Sequence, residues 1–167
     1  VIRKLLSRFD AIFTLTYEDR AKELGLSVDE VITLASIIQW EAVPGDFKKV
    51  SAVFYNRLGV NMPLQSDATL RYVTGEKKLS YTAAELAIDS PYNTYKFTGL
   101  PAGPVSNPGQ QAIDAALYPD ESFMVKGEEY YYFCLKSPDS TELVFARTLA
   151  EHHANIKAYN DAAGAEV

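Results

Sequence analysis

Residues 27–58, SVDEVITLASIIQWEAVPGDFKKVSAVFYNRL, constrain the fold more than any other stretch, because they predict two consecutive helices joined by a short turn. Ser27 followed by Glu30 is a capping box, a side-chain pair that satisfies free N–H groups where a helix begins. Apolar residues then recur at the spacing of a buried helical face: Val28, Val31, Ile32, Leu34, Ala35, Ile37 and Ile38. This stripe is too wide for a surface helix, so we expect the first helix to be central.

The first helix ends close to a single acid, Glu41. Pro44 and Gly45 predict that the helix stops at about residue 42 or 43, because proline disfavours a helical residue before it. Glu41 follows Ile37 by four positions, which places its side chain along the edge of the apolar stripe. Burial beside apolar groups raises the pKa of a carboxyl and makes it a proton donor near neutral pH. The alternative left open is a solvated glutamate in a fraying last turn.

The second helix is predicted to begin after Asp46, which is a good N-cap residue. Its buried face carries Phe47, Val50, Phe54 and Leu58, with Gly59 past its end. We expect the two helices to pack as a hairpin.

Composition places the chain among single-domain globular proteins, since it has 167 residues of which 47% are apolar. Sixteen basic and 22 acidic residues give a net charge of −6, and no basic cluster stands out beyond the opening VIRKLLSR, so we expect no nucleic-acid partner. No stretch approaches the roughly 18 apolar residues that cross a bilayer. Because the chain begins with Val1, we expect it to be a piece of a longer protein.

Several kinds of catalytic site are disfavoured by the residues present. Cys134 is the single cysteine and lies in a strand-like run, which indicates a small buried residue rather than a disulfide or a metal ligand. The two histidines, His152 and His153, are adjacent on one predicted helix, so a multi-histidine metal site is not expected. Nucleophile-elbow and phosphate-loop motifs are absent from the sequence. We therefore expect no metal and no other cofactor.

Two polar segments stand out as candidate binding residues. Gln65, Ser66 and Asp67 form a polar trio between apolar anchors, which is either a helix cap or part of a site. Residues 89–109 hold four prolines and three glycines, and a loop of this length in a compact domain is usually functional. Its aromatic faces and polar groups suit sugar rings, and they come from Tyr92, Asn93, Thr94, Tyr95, Phe97 and Asn107. A well-packed structural loop is the alternative.

The remaining pattern predicts a mostly helical α+β domain with one small antiparallel hairpin. Apolar residues in 1–24 predict a helix and a segment that lead into the core. Further helices are predicted to begin at Ser80 or Thr82, at Asn107-Pro108 and, through a capping box with Glu151, at Thr148. The hairpin is predicted over residues 129–135 and 142–146, which are rich in aromatic and β-branched side chains.

Five blocks of sequence occur in the order LASIIQWEA, VFYNRL, PLQSDATLRY, SPYNTYKFTGLPAGPVSNPG and TLAEHH. In this order they resemble the catalytic domain of the YceG-like, or MltG, family of endolytic murein transglycosylases, across residues 30–155. The resemblance implies a lysozyme-like catalytic domain in which Glu41 is the catalytic acid and base. It also implies that the glycan cleft is lined by Gln65, Ser66, Asp67, Tyr92, Asn93, Thr94, Tyr95 and Asn107.

The chain departs from the family at Gln39, where the family often has an acid. Two residues apart on a helix, positions 39 and 41 point about 200° apart, so Gln39 is not expected to share the proton transfer. A single acid is sufficient for a lytic transglycosylase, because the C6 hydroxyl of the substrate's muramic acid acts as the nucleophile. The expected product is a 1,6-anhydromuramic acid end, formed without net use of water.

Two other functions remain open at this stage. One is a non-catalytic peptidoglycan-binding module that recruits synthases, which would use the aromatic loop but not Glu41. The other is a water-using muramidase, which would need a second carboxylate, with Asp67 as the candidate.

The resemblance also implies partners, location and domain boundaries. Peptidoglycan strands are the expected substrate, and peptidoglycan synthases are candidate partners. The bacterial parent is expected to have a membrane helix and a LysM-like region, neither present here, and to act on the extracytoplasmic face of the cell membrane, with this chain itself soluble. We expect an N-terminal scaffold helix and linker in residues 1–24, the catalytic domain in 25–160 and a tail in 161–167.

Overall fold

The structure is a computed structural model that describes residues 2–78 and 80–164. Helices α1 to α8 in this part of the chain span Ile2–Ile12, Leu15–Glu23, Val28–Glu41, Phe47–Gly59, Asp67–Thr74, Ala83–Leu86, Gln110–Leu117 and Leu149–Ala163. Strands β1 and β2 span Tyr132–Leu135 and Leu143–Ala146, and a short 3-10 helix spans Glu121–Phe123. The predicted fold class, a mostly helical α+β domain with a small antiparallel hairpin, is confirmed.

Helix α3 lies at the centre of the fold, as its wide apolar stripe predicts. It packs most extensively against α7 and also contacts α2, α4 and α5. Its capping box is present, since the Ser27 amide donates to Glu30 Oε2 at 2.8 Å and the Glu30 amide donates to Ser27 Oγ at 3.2 Å. The prediction was wrong for Val28, which is exposed together with the rest of residues 27–30 where α3 begins.

Helix α4 follows α3 after a turn that contains Gly45, whose φ of 96° lies in the left-handed region that favours glycine. Asp46 occupies the predicted N-cap position but makes no capping bond. Its carboxylate pairs with Lys49 instead, at 2.8 Å. Phe47 and Phe54 are buried in the core as predicted, so the two helices do form the expected hairpin.

The N-terminal segment forms two helices rather than one, and α1 contributes little to the core. Its apolar side chains Ile2, Leu5, Leu6 and Phe9 are exposed, so the prediction that they lead into the core was wrong. Phe13, after the end of α1, and Ala21 on α2 are the buried residues of this segment. The predicted domain boundaries after residues 24 and 160 stay predictions, and residues 165–167 of the predicted tail lie outside the described residues.

Helix α7 begins at Gln110, with Gly109 at its N-cap, and not at Asn107-Pro108 as predicted. The reason is that the preceding backbone is bonded to α3. The Val105 amide donates to Ser36 Oγ at 2.9 Å, and the Gly109 amide donates to Gln39 Oε1 at 2.8 Å. The buried face of α7 consists of small and apolar residues, Ala112, Ile113, Ala115, Ala116 and Leu117, which suits close packing against α3.

The hairpin pairs β1 with β2 in antiparallel register, with Tyr132 opposite Ala146 and Leu135 opposite Leu143. The first strand is shorter than the predicted run 129–135. Helix α8 begins after Thr148, whose capping box with Glu151 is present as predicted, and packs against both strands. The sheet and α8 together form a layer that faces the C-terminal end of α3. None of the helices within residues 2–78 and 80–164 is both long enough and apolar enough to span a membrane.

Candidate active site

Glu41, the last residue of α3, meets the beginning of α5. Its Oε1 accepts a hydrogen bond from the Ser66 hydroxyl at 2.5 Å and another from the Ala68 amide at 2.9 Å. Ser66 is the N-cap residue of α5, yet its hydroxyl makes no bond to its own helix. The carboxyl of Glu41 therefore satisfies an amide at the start of α5, where the helix dipole favours negative charge.

The surroundings of Glu41 raise the pKa of its carboxyl above the ordinary value, with burial as the largest cause. The hydrogen bonds from Ser66 and Ala68 oppose this effect, because they stabilise the ionised form, while the charge of Asp67 adds to the rise. The net effect keeps a proton on Glu41 over a pH range in which an exposed glutamate has lost it. This is the requirement for a general acid near neutral pH.

Two cavities meet at Glu41 and together form one groove. The larger has a volume of about 510 Å³ and the smaller of about 330 Å³. Glu41, Asp67 and Phe133 line both cavities. The groove thus runs between the α3–α5 junction on one side and strand β1 on the other, with the acid near its middle.

Tyr95 and Asp67 are joined within this groove. The Tyr95 hydroxyl donates to Asp67 Oδ1 at 2.7 Å. Burial, followed by the interaction with Asp67, raises the pKa of Tyr95. The phenol therefore stays protonated and holds one oxygen of the Asp67 carboxylate in place.

Gln65 precedes this centre in a strained backbone conformation, with φ of 51° in the left-handed region. Its amide donates to the Thr94 carbonyl at 3.0 Å, and its side-chain Oε1 accepts from Arg57 at 3.2 Å. The buried Arg57 also donates to the carbonyls of Tyr131 at 2.6 Å and Pro63 at 2.9 Å. Arg57 thus links the segment before α5 to the residue that precedes strand β1.

Four of the predicted substrate residues do not line either cavity. Asn93 and Thr94 are buried, and the side-chain amide nitrogen of Asn93, Nδ2, donates to the carbonyls of Leu86 at 3.0 Å and Ile88 at 2.9 Å. Tyr92 packs on Tyr72 with ring centroids 4.7 Å apart, and Asn107 is exposed near the start of α7. Their contact with a ligand stays a prediction, whereas Gln65, Ser66, Asp67 and Tyr95 do come together with Glu41.

The Thr94 hydroxyl is fully engaged inside the protein. It accepts from the Ser66 amide at 3.1 Å and lies 2.8 Å from the Thr69 hydroxyl. The Gly- and Pro-rich loop thus supports the segment that carries Ser66, which in turn holds Glu41. This part of the loop is a second layer behind the groove.

The model of the YceG-like family matches residues 1–158. The chain belongs to the YceG-like family. It is 40% identical over 160 residues to the endolytic murein transglycosylase of Bacillus subtilis. The matched region covers 95% of this chain and 42% of that relative. It is 34% identical over 164 residues to the protein of the same name from Streptococcus pneumoniae R6. That match covers 93% of this chain and 28% of the relative.

A solved YceG-like structure, from Listeria monocytogenes, resembles this one with a TM-score of 0.80 and 40% sequence identity. The match covers 92% of this chain and 48% of that chain. The YceG-like chain described here therefore spans less than half the length of the relatives it matches.

Several groove residues of this YceG-like chain were not identified from the sequence. They are Trp40, Arg57, Arg71, Tyr132, Phe133 and His152. Four of them lie inside recognised blocks, which is the signal that could have found them: Trp40 in LASIIQWEA, Arg57 in VFYNRL, Arg71 in PLQSDATLRY and His152 in TLAEHH. The ring of His152 stacks on that of Tyr132 with centroids 5.1 Å apart, and burial lowers the pKa of His152.

Cys134 and Gln39 occupy different places in this YceG-like site. Cys134 is only partly buried and lines the larger cavity, so the prediction of a buried packing residue was wrong. Gln39 bonds to Gly109, on a different face of α3 from Glu41, as the predicted 200° separation requires.

Proposed function

We propose that this chain carries the catalytic domain of a lytic transglycosylase that cleaves the MurNAc–GlcNAc bond of peptidoglycan and leaves 1,6-anhydroMurNAc ends. The observation that carries the proposal is the partly buried carboxyl of Glu41, whose pKa is raised, at the point where two cavities join. The relatives named endolytic murein transglycosylases support the substrate class. A glycan strand is an extended polymer, and an open groove with the acid near its middle suits cleavage within such a strand.

In the first step Glu41 acts as the general acid. The hydrogen bonds from Ser66 and Ala68 both reach Oε1, and we assign the transferable proton to Oε2. As the bond between C1 of the muramic acid and the glycosidic oxygen breaks, its electron pair remains on that oxygen, which takes the proton from Oε2. The leaving sugar departs with a neutral hydroxyl.

In the second step the same residue acts as the base. The new carboxylate is stabilised by the Ser66 hydroxyl and the Ala68 amide at the start of α5. It removes the proton from the C6 hydroxyl of the muramic acid, and that oxygen forms the bond to C1. The ring closes to the 1,6-anhydro product, Glu41 regains its proton, and no water is consumed.

Asp67 is proposed to position the sugar rather than to act as a nucleophile or base. One of its oxygens is engaged by the Tyr95 hydroxyl at 2.7 Å, which supports a role in hydrogen bonding at a fixed location. A water-using muramidase would instead require Asp67 as a second carboxylate that works together with Glu41. The two mechanisms differ in their products.

The substitution Glu41→Gln tests the proposal, because it keeps the shape of the side chain and removes the transferable proton. We expect release of anhydro ends from purified sacculi, followed by mass spectrometry, to fall at least a hundredfold, the usual minimum for loss of a general acid being about 10²-fold. Binding of glycan strands by the variant should persist. Glu121→Gln is the matched control, since Glu121 is exposed and lines neither cavity.

A variant that retains more than about a tenth of the wild-type rate would contradict the role of Glu41. A wild-type chain that binds strands but releases no ends under any condition would favour a non-catalytic binding module. Because peptidoglycan lies outside the cytoplasm, we further propose that the parent protein acts at the extracytoplasmic face of the cell membrane. Peptidoglycan synthases, which make its substrate, are the proposed protein partners.

A further inference from the structure

Arg71, on helix α5, presents an unused guanidinium to the larger cavity. Its carbon Cζ lies 4.2 Å from the ring centroid of Trp40, so the guanidinium is held over the indole. Within residues 2–78 and 80–164, no hydrogen bond or ion pair engages the Arg71 side chain. Its five N–H donors therefore remain available to a ligand. By contrast Arg57, which lines the smaller cavity, donates hydrogen bonds to the backbone carbonyls of Tyr131, Pro63 and Leu64.

The position of this pair relative to Glu41 follows from helix geometry. Arg71 comes three residues after Ala68, whose amide bonds to Glu41, so it lies on the same side of α5 at about one turn, or roughly 5 Å, along the axis. Trp40 immediately precedes Glu41 on α3, and both line the larger cavity. The Arg71–Trp40 pair is thus next to Glu41, and it lines the larger cavity but not the smaller one.

Two further cations lie in the same cavity, Lys77 and Lys78. Lys78 is committed to Glu76 at 2.9 Å and to Glu85 at 2.5 Å. Lys77 forms no ion pair within the part of the chain that the structure describes. Arg71 and Lys77 are thus two uncommitted cations in a lining that also carries the carboxyl groups of Glu41 and Asp67, within a chain whose net charge is −6.

We infer that the Arg71–Trp40 pair, with Lys77, forms a subsite for a carboxylate that the muramic acid carries on its lactyl group. A guanidinium matches a carboxylate with two parallel hydrogen bonds, and its place over the indole of Trp40 restricts where those bonds form. The carboxylate has two possible sources, the free lactyl acid of a peptide-free strand or an acidic group of an attached stem peptide. The inference rests on the proposed function, since it assumes a peptidoglycan strand in the groove.

Binding to strands that are not cleaved tests the subsite directly. In the Glu41→Gln background, Arg71→Gln should raise the dissociation constant for carboxylate-bearing strands about tenfold. The difference in dissociation constant between the two proteins should shrink as the salt concentration rises. Three strand preparations are compared by titration calorimetry: peptide-bearing strands, amidase-treated strands with a free lactyl acid, and amidase-treated strands whose carboxyls are converted to methylamides. The strand class that shows the loss identifies the source of the carboxylate.

The methylamide strands should bind equally well with and without Arg71→Gln, because they offer no negative charge. Arg8→Gln is the matched control, since it makes the same change in net charge on α1, where Arg8 is exposed and lines neither cavity. Equal binding of carboxylate strands by both proteins, or an equal loss on methylamide strands, would overturn the subsite. The proposed function is judged separately, by release of anhydro ends from sacculi by the wild-type chain.

Discussion

The substitution Ser66→Ala isolates the hydrogen bond that most strongly opposes the raised pKa of Glu41. The Ser66 hydroxyl donates to Glu41 Oε1 at 2.5 Å, and Ser66 is buried, so water does not replace the lost donor easily. The change removes one oxygen atom and leaves the Ala68 amide as a donor to the carboxyl. We expect the fold to persist and the ionised form of Glu41 to become less favourable.

The size of the effect follows from the energy of the bond. A hydrogen bond to a charged group contributes about 1.5–3 kcal/mol, and 1.36 kcal/mol corresponds to one pKa unit. The pKa of Glu41 should therefore rise by about one to two further units in the variant. The same stabilisation is lost from the carboxylate that forms as the glycosidic bond breaks, which lowers kcat by roughly 10- to 100-fold at the optimum.

The assay is the rate of anhydro-end release from sacculi as a function of pH. In the proposed mechanism activity requires protonated Glu41 and is lost as pH rises through its pKa. Ser66→Ala should therefore move the alkaline limb of the profile to higher pH by about one to two units. Ser51→Ala is the matched control, since its buried hydroxyl has no hydrogen-bond partner among the described residues. A lower rate with an unmoved alkaline limb would refute the reasoning, because it would mean that Ser66 does not act through the ionisation of Glu41.

Three further predictions concern stability and the layer behind the groove. The raised pKa of Glu41 means that the wild type loses stability as pH rises from the ordinary carboxyl pKa through the raised value. Glu41→Gln has no such loss, so its advantage in melting temperature should grow across that pH window. An advantage that shrinks as pH rises would contradict the raised pKa that burial causes. Arg57→Ala leaves several backbone carbonyls without a donor and should lower the free energy of unfolding by about 3 kcal/mol in urea titrations, with a control at exposed Arg8 unchanged. Asn93→Ala should lower the melting temperature, because Asn93 bonds within its own loop. Tyr95→Phe should slow strand cleavage while its melting temperature stays within about 2 °C of wild type. Slower cleavage by Asn93→Ala with an unchanged melting temperature would show that Asn93 faces the substrate.

Much of the fold could be predicted because local signals and burial agree in the segment 27–58. The capping box at Ser27 and the wide apolar stripe of α3 are both consequences of short-range sequence spacing. The start of α7 was wrong because Asn107-Pro108 is a good local start signal, but tertiary bonds from Val105 and Gly109 to α3 hold that backbone in another conformation. A local pattern does not contain those partners.

The candidate site divides in the same way. The sequence singled out Glu41 at a helix end and the polar trio 65–67 as candidates, and the structure brings them together in the groove, while their roles stay predictions. Asn93 carries the same amide as a sugar-binding residue, but its partners are carbonyls of its own loop, and only the fold decides between these uses. Arg71 lies inside the block PLQSDATLRY but was not identified, because its contact with Trp40, 31 positions earlier on a different helix, is formed only by the fold.

The oxygen source of the product tests the proposed mechanism most directly. Sacculi are digested by the wild-type chain in water enriched in oxygen-18, and the new glycan ends are analysed by mass spectrometry. In the proposed mechanism the C6 hydroxyl of the substrate attacks C1, so we expect anhydro ends without label. Asp67→Asn should slow their formation without changing their identity. Labelled reducing ends as the main product would contradict the account, since they would mean that water attacks C1 and that Asp67 acts with Glu41 as a second catalytic carboxylate.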